Sequence, residues 1–367
     1  MSDQSTIEPS VLAERRGPLG LLTLNRPRSI NALTHEMVGL LQAALDDWAT
    51  DPDVTAVVVK GAGTRGLCAG GDIVSIYQDA VSGGHGAVDF WRDEYRLNAF
   101  IASYPKPYVA LMDGIVLGGG VGVSAHASHR VVTDKTRVGM PETGIGFVPD
   151  VGGTWLLSRA PGELGTLVAL TAGHMTAGDA IELGLADHFV DSADLETLVD
   201  LLVDHPVDEA LTKVARPAPP SKLAEQRTWV DAAFAHNTVA EILDALNRRP
   251  EPEAAEALTA IRSKSPTSLV VTLRALRAAR RMTRLEEALA QEFRLAVRLL
   301  RGHDMAEGIR AQVIDKDRNP RWEPPQVADV DPVEVDAHFA SLGDAELELD
   351  PTSSVGPAAA PEQEGTA

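Results

Sequence analysis

Two carboxylates, Glu142 and Asp150, stand eight positions apart among Met140, Pro141, Ile145, Phe147, Val148 and Pro149. A carboxyl group among apolar side chains loses hydration, which disfavours its ionised form. Its pKa then moves toward the range where it can trade protons or attack carbon near neutral pH. Upstream, Gly118-Gly119-Gly120 follows the apolar, strand-length run Tyr108–Met112 and the break at Asp113-Gly114. A strand that enters a glycine triplet and then a small-residue helix, expected over 121–127, presents bare N–H groups. Such groups favour a negative charge or a polarised oxygen. Taken singly, the glycines could serve close packing and the acids could cap turns. The stretch 112–153 contains ten glycines as well as both acids, and donors beside carboxylates point to chemistry at a polarised carbonyl.

The elements that must carry these residues alternate between strand and helix, which predicts an α/β architecture. Leu19–Leu24 reads as a strand, Asn25-Arg26-Pro27 as a turn, and Thr34 as the N-cap of a helix. The face of that helix is marked by Met37, Leu40, Leu41, Ala44, Leu45 and Trp48. Residues 54–60 predict a buried strand. Gly61-Ala-Gly-Thr-Arg-Gly66 then matches G-x-G-x-x-G, the dinucleotide fingerprint. That fingerprint needs a helix opening on its third glycine. Here the loop continues through Leu67-Cys-Ala-Gly-Gly-Asp72 and the helical pattern begins only near Ile73, so the better reading is a loop whose backbone approaches a ligand near Gly70-Gly71. A second helix is expected over 87–104, with Arg92, Asp93, Glu94 and Arg96 forming a solvated face. Short helices are expected over 154–158, 164–171 and 177–183, with His174 in a loop and 187–190 as a short return. His126, His129, His174 and His188 lack metal-ligand spacing, and no metal site is expected.

Residues 216–221 form a proline-rich linker, after which Leu269, Leu273, Leu276, Met282, Leu285, Leu289 and Phe293 recur at helical spacing as a core face. A last helix is expected over 335–342. The predicted organisation is a core over 10–215, a helical region over 216–343 and a tail of disordered composition over 344–367. The chain has 367 residues, 44% hydrophobic and 23% charged, with a formal net charge of −20, which argues against a general nucleic-acid binder. No apolar run reaches membrane-spanning length. The acidic, polar start MSDQSTIEPS fits neither a signal nor a transit peptide. The lone cysteine, Cys68, suits a reducing compartment, so a cytoplasmic location is expected. Cys68 has no histidine paired with it and reads as a small packing residue.

Several segments together carry a resemblance. Residues 67–72 (LCAGGD) and 113–122 (DGIVLGGGVG) resemble the two oxyanion-hole segments of the crotonase (enoyl-CoA hydratase/isomerase) superfamily, and 26–33 (RPRSINAL) resembles its first CoA-contacting loop. Residues 140–153 (MPETGIGFVPDVGG), 92–98 (RDEYRLN), 301–310 (RGHDMAEGIR) and 314–322 (IDKDRNPRW) are similar to the branch that hydrolyses 3-hydroxyisobutyryl-CoA. The likeness runs from about residue 10 to 343. It implies a crotonase spiral of ββα units with a C-terminal helical region over the acyl-CoA site. It implies an oxyanion hole from the amides of Gly71 and Gly119, catalysis by Glu142 with Asp150 as partner, and a substrate contact at Glu94. CoA would be part of the substrate, with no separate cofactor. Members of the superfamily commonly form trimers or hexamers, and the assembly of this chain stays open.

In the hydratases of the superfamily a glutamate stands at the position of Gly122 and a glycine at that of Asp150; here both are reversed. Hydration of a double bond usually needs two acid–base groups, and Gly122 can supply neither. Thioester hydrolysis needs two donors aimed at the oxyanion and a carboxylate that activates water or attacks directly. The expected activity is hydrolysis of the thioester of 3-hydroxyisobutyryl-CoA, or a similar short 3-hydroxyacyl-CoA, in valine breakdown. The alternatives are an enoyl-CoA hydratase or isomerase, and a silent scaffold or RNA-binding member of the fold.

Overall fold

Ten strands occur among the described residues, 8–349, of the computed structural model: β1 (Val11–Arg16), β2 (Leu19–Leu24), β3 (Ala56–Gly61), β4 (Gly66–Cys68), β5 (Tyr108–Met112), β6 (Ile115–Leu117), β7 (His129–Val132), β8 (Arg137–Gly139), β9 (His174–Met175) and β10 (His188–Phe189). They form two sheets, a six-stranded one ordered β1-β2-β3-β5-β7-β10 and a four-stranded one ordered β4-β6-β8-β9. Pairing is parallel except at β1/β2 and β8/β9. The six-stranded sheet is covered on both faces, which is why β2 is buried throughout and reads as a continuous apolar run rather than an alternating one. Leu19, Leu21, Val58, Val109 and Leu111 pack on the helices Leu195–Asp204 and Val207–Val214. Leu22, Leu24, Val57, Val59, Ala110 and Met112 point the other way, into the main core. The two sets alternate because successive strand side chains face opposite sides.

Helix α1 (His35–Thr50) begins at Thr34, whose hydroxyl accepts from the Met37 amide. Its buried face is Met37, Val38, Leu41, Leu45 and Trp48. Leu40, expected on that face, is exposed, whereas Val38 is buried on it. Trp48 seats over Gly20, where a Cβ would come within 2.6 Å of the indole ring.

The chain then repeats one pattern: a strand in the large sheet, a strand in the small sheet, a helical turn. β3 and β4 lead to α2 (Ile73–Ser82) and then α3 (Gly86–Ala102); β5 and β6 lead to α4 (Gly119–Gly122); β7 and β8 lead through a 3-10 turn, Glu142–Ile145, to α5 (Gly153–Ser158). This is the spiral of ββα units expected from the resemblance.

Several boundaries differ from expectation. The helix expected over 121–127 starts earlier, on the glycines, and loosens into turns where the Ser124 hydroxyl donates to the Gly120 carbonyl at 2.6 Å. His174, expected in a loop, pairs with Gly139 in β9, a contact that local sequence does not announce. The final helix is Pro332–Phe339, opened by Asp331 as cap and a proline in its first turn, both start signals that lie upstream of the apolar pattern.

The C-terminal helices are not separate from the rest. Pro266–Ala279 packs on α5, Leu285–Leu299 on α3, and one hydrophobic cluster runs from Val11 to Leu347. Of the tail expected from 344 onward, residues 344–349 are packed: Arg92 donates to the Ala345 and Glu346 carbonyls, Arg294 pairs with Glu346, and Leu347 is buried. The arginine contacts offset a composition poor in apolar residues. The remainder of the expected tail, and the N-terminal residues 1–7, lie outside the described residues.

Candidate functional site

The three repeats deliver three pieces of one site. β4 ends at Cys68 and runs into Gly70-Gly71; β6 ends at Leu117 and runs into Gly118-Gly119; β8 ends at Gly139 and runs into Glu142. All three strands are parallel neighbours in the small sheet, so their C-terminal ends converge on one side, the usual place for a ligand in parallel α/β sheets. Gly71 is pinned by pairing with Leu33: the Leu33 amide donates to the Gly70 carbonyl and the Asp72 amide to the Leu33 carbonyl, each at 2.8 Å. That pattern leaves the Gly71 N–H pointing away from Leu33. Among the described residues, the amides of Gly71 and Gly119 donate to no protein acceptor. They are close together, since a Cβ placed on Gly119 would lie 3.4 Å from the Gly71 nitrogen. The same Cβ would meet Glu94 Oε1 at 2.5 Å, and one on Gly118, where φ is +47°, would meet Glu142 Oε1 at 2.9 Å. Glycine is required here so that bare amides and carboxylates can share one space.

That space is a cavity of about 200 Å³. Gly70, Gly71, Gly118 and Gly119 line it with Glu94, Glu142 and Asp150, and Phe90, Trp91 and Met305 supply apolar walls. Trp91 stacks on Phe147 at 5.2 Å between ring centres. Met305 arrives from the helix His303–Ile309, so the C-terminal region closes one side. That helix sits against Gly146, where a Cβ would meet the Asp304 carbonyl oxygen at 2.2 Å.

All five site residues expected from the sequence therefore line one cavity. The expectation that Glu94 belongs to a solvated face is corrected. It is buried, because α3 turns it inward between Trp91 and Tyr95 while Arg92, Asp93 and Arg96 remain more exposed.

The three carboxyl groups are buried and, among the described residues, have no cationic partner. Among the described residues, Glu94 Oε1 and Glu142 Oε2 are buried without a hydrogen-bond partner. Burial, and then the nearby Asp150 charge, push both glutamates well above the ordinary carboxylate range. Burial also raises Asp150 to about 7, against the opposing effect of the Tyr95 hydroxyl, which donates to its Oδ2 at 2.7 Å. The group therefore holds protons near neutrality that isolated carboxyls would have shed.

Sequence reasoning missed three participants. Tyr95 follows Glu94 directly, where a tyrosine in a helical stretch reads as an apolar contact. Asn98, one turn further along α3, is fully buried with both amide atoms unpartnered. It fills the space beside Gly122, whose Cβ would meet Asn98 Nδ2 and Val151 Cβ at 2.8 Å each. Glu292 accepts from the Gly152 amide at 2.7 Å and the Thr154 amide at 2.9 Å. Its signal was a charge on an otherwise apolar helical face beside Leu289 and Phe293.

Cys68 is fully buried, and that burial pushes its thiol up to about 12. Such a thiol is unsuited to nucleophilic attack. Arg26 is committed to Asp72 at 2.9 Å and to the Ala32 carbonyl, and so braces the glycine loop. Among the described residues no cluster has the donors to hold a metal, and no helix is long and apolar enough to cross a membrane.

Known proteins of similar sequence and structure extend this description. A model of the enoyl-CoA hydratase/isomerase family matches residues 19–339. The chain belongs to the enoyl-CoA hydratase/isomerase family. Within it, the chain is 41% identical over 350 residues to the rat protein named 3-hydroxyisobutyryl-CoA hydrolase, mitochondrial, covering 92% of this chain and 91% of that one. It is 40% identical over 360 residues to the human protein of the same name, covering 95% and 93%. Among solved structures it is similar to a carnitinyl-CoA dehydratase from Mycobacterium thermoresistibile, with TM-score 0.90 and 50% identity over 93% of this chain and 99% of that one. It is also similar to an enoyl-CoA hydratase from Rhodobacter sphaeroides 2.4.1, with TM-score 0.88 and 44% identity over 93% and 100%. The family's fold thus includes the C-terminal helices in these members. The cytoplasmic expectation is overturned, because the curated relatives it matches carry mitochondrial in their names. Cysteine usage reports only a reducing setting and does not separate such compartments.

Proposed function

We propose that this family member hydrolyses the thioester of 3-hydroxyisobutyryl-CoA, or of a similar short 3-hydroxyacyl-CoA, to the free hydroxy acid and CoA, as a step in valine breakdown. The observation that carries the reading is one carboxylate, Glu142, beside two acceptor-free amides, with the space at Gly122 filled by Asn98 and Val151. The amides of Gly71 and Gly119 would hold the thioester oxygen and strengthen their grip as it becomes an oxyanion, a contribution of roughly 3–4 kcal/mol per donor. Glu142, ionised, would activate water or attack the acyl carbon to form a mixed anhydride. Asp150, protonated below about 7, would deliver a proton to the departing thiolate. Glu94, with its bare Oε1, would accept from the substrate hydroxyl.

The two solved relatives are named for hydration or dehydration chemistry. That chemistry would require an acid–base group where this chain has Gly122 and no free volume, and the names of the curated relatives support hydrolysis. The test is release of free thiol from 3-hydroxyisobutyryl-CoA, followed with a thiol-reactive chromogen, beside loss of the crotonyl-CoA double-bond absorbance. Rapid thiol release with negligible hydration is expected. Hydration without thiol release would overturn the proposal.

A further inference from the structure

Asp150 opens a turn that its sequence disfavours. The Gly153 amide closes onto the Asp150 carbonyl at 2.6 Å, and the two central residues, Val151 and Gly152, have φ of +51° and +81°. Two consecutive left-handed residues define a type I′ turn, a geometry suited to Asn-Gly. A β-branched valine there is strained and persists only where its surroundings over-determine it. The surroundings are visible on both sides. His126 Nε2–H donates to the Val151 carbonyl at 2.7 Å. From the opposite side, Glu292 of the helix Leu285–Leu299 accepts from the Gly152 amide, the Thr154 amide and the Thr154 hydroxyl. Glu292 has no exposed surface. Leu285, two helical turns before it, and His126 flank Gly152, where a Cβ would come within 2.9 Å and 2.5 Å of them.

We propose that Glu292 is a positioning residue for the reaction: by binding the Gly152 and Thr154 amides and the Thr154 hydroxyl, it locks the left-handed turn that aims Asp150 into the cavity. The inference rests on the proposed hydrolysis, because it assigns a residue to that site. Glu292 lines no part of the cavity and reaches substrate only through Asp150. It also ties the C-terminal helices to the reaction, so that those helices set the geometry of a catalytic acid 142 positions earlier in the chain. Three neighbouring titratable groups interact with its charge: Asp150, Tyr95 and Glu142. His126 lies across the turn, lowered by burial to about 4 and so neutral at neutral pH.

Glu292→Gln keeps the shape but replaces one acceptor oxygen with a donor group that faces the same amides. In the full chain, kcat for thiol release is expected to fall roughly 30- to 100-fold, the scale of a small misplacement of a reacting group, with KM within about threefold. The deciding measurement is a double-mutant cycle with Asp150→Asn. If Glu292 acts through Asp150, adding Glu292→Gln to Asp150→Asn costs little more than Asp150→Asn alone. A purely structural role gives additive losses. Should Glu292→Gln fail to fold, Thr154→Val removes only the hydroxyl contact, with an expected kcat loss of about three- to tenfold that likewise vanishes in the Asp150→Asn background. Additive cycles, or single variants with wild-type kcat, overturn the proposal while leaving hydrolysis intact. A wild-type chain that releases no thiol overturns both.

Discussion

Glu142 and Glu163 are almost equally hidden from solvent, 6% and 8% exposed, yet their chemistry is opposite. Glu163 accepts from Arg277, Arg280 and the Thr166 hydroxyl, all within 2.9 Å. Burial alone would raise its pKa, but these partners outweigh that effect and hold its carboxyl below the usual range. Glu142 has no cation beside it, so burial and the Asp150 charge raise it. The lesson is that burial does not by itself make a reactive carboxyl; burial without a partner does. Glu163 joins the core to the helix Pro266–Ala279 as a fixed charge. Glu142 keeps a bare oxygen in a cavity, with its pKa raised toward the range where it can exchange protons.

Five experiments test that contrast. The largest effect should come from Glu142→Gln, which removes the charge that both hydrolytic routes need. We expect kcat to fall by about 10³-fold or more while the melting temperature holds or rises, because a costly buried carboxyl is gone. Enzymatic rates and calorimetry on the same preparation separate the two; equal losses in activity and stability would erase the contrast. Next, Gly119→Ala drives a methyl against Glu94 Oε1 and the bare amides, and thiol-release kinetics should show kcat/KM down by about 10²-fold.

Glu163→Gln should behave in reverse. Denaturant titration should show it about 2–4 kcal/mol less stable, since it strands two arginines, one of them largely buried. Its kcat should stay within about twofold of wild type. Gly122→Glu probes why the hydratase arrangement is shut out. Asn98 and Val151 already occupy the space, so the variant should gain no crotonyl-CoA hydration and lose stability; measurable hydration would show that the space can open.

The smallest effect concerns pH. Asp150 and Glu292, raised to about 7 and about 8, retain protons in the native state that the unfolded chain, titrating near 4, has already released. Native stability contributed by these groups is fully present below their unfolded values near 4 and is lost progressively as pH rises to the folded values. The melting temperature should therefore drift downward between about pH 6.5 and 8.5, above the range in which His126 titrates. The drift should be shallower in Glu292→Gln. A rising or flat profile for the wild type would contradict the raised values.

Much of the framework was legible because its signals are local. The β2 and β5 runs are continuous apolar segments of strand length. Thr34 lies one cap position before a helical stripe, and the G-x-G-x-x-G decoy dissolves once helix α2 is seen to begin at Ile73. The short strands β6, β8 and β9 have two or three residues each and were not seen, because their pairing comes from partners elsewhere in the chain. Glu94 was outwardly one charge among four on α3. Only the packing of Trp91, Tyr95 and Phe147 shows that it turns inward.

By itself, the sequence determined the inventory of the site: glycines where amides must be bare, two acids in apolar surroundings, and no side chain at position 122. These are properties of residue type and spacing, and they need no knowledge of the distant chain. The tertiary structure alone decided which carboxyls are poised and which are neutralised, since that depends on charges brought from far along the chain. Asp231 and two arginines surround the segment of Glu163, whereas among the described residues no cation pairs with Glu142. It also decided the setting of Asp150. A left-handed valine cannot hold itself, and the Glu292 side chain that holds it is carried by a helix more than a hundred residues away.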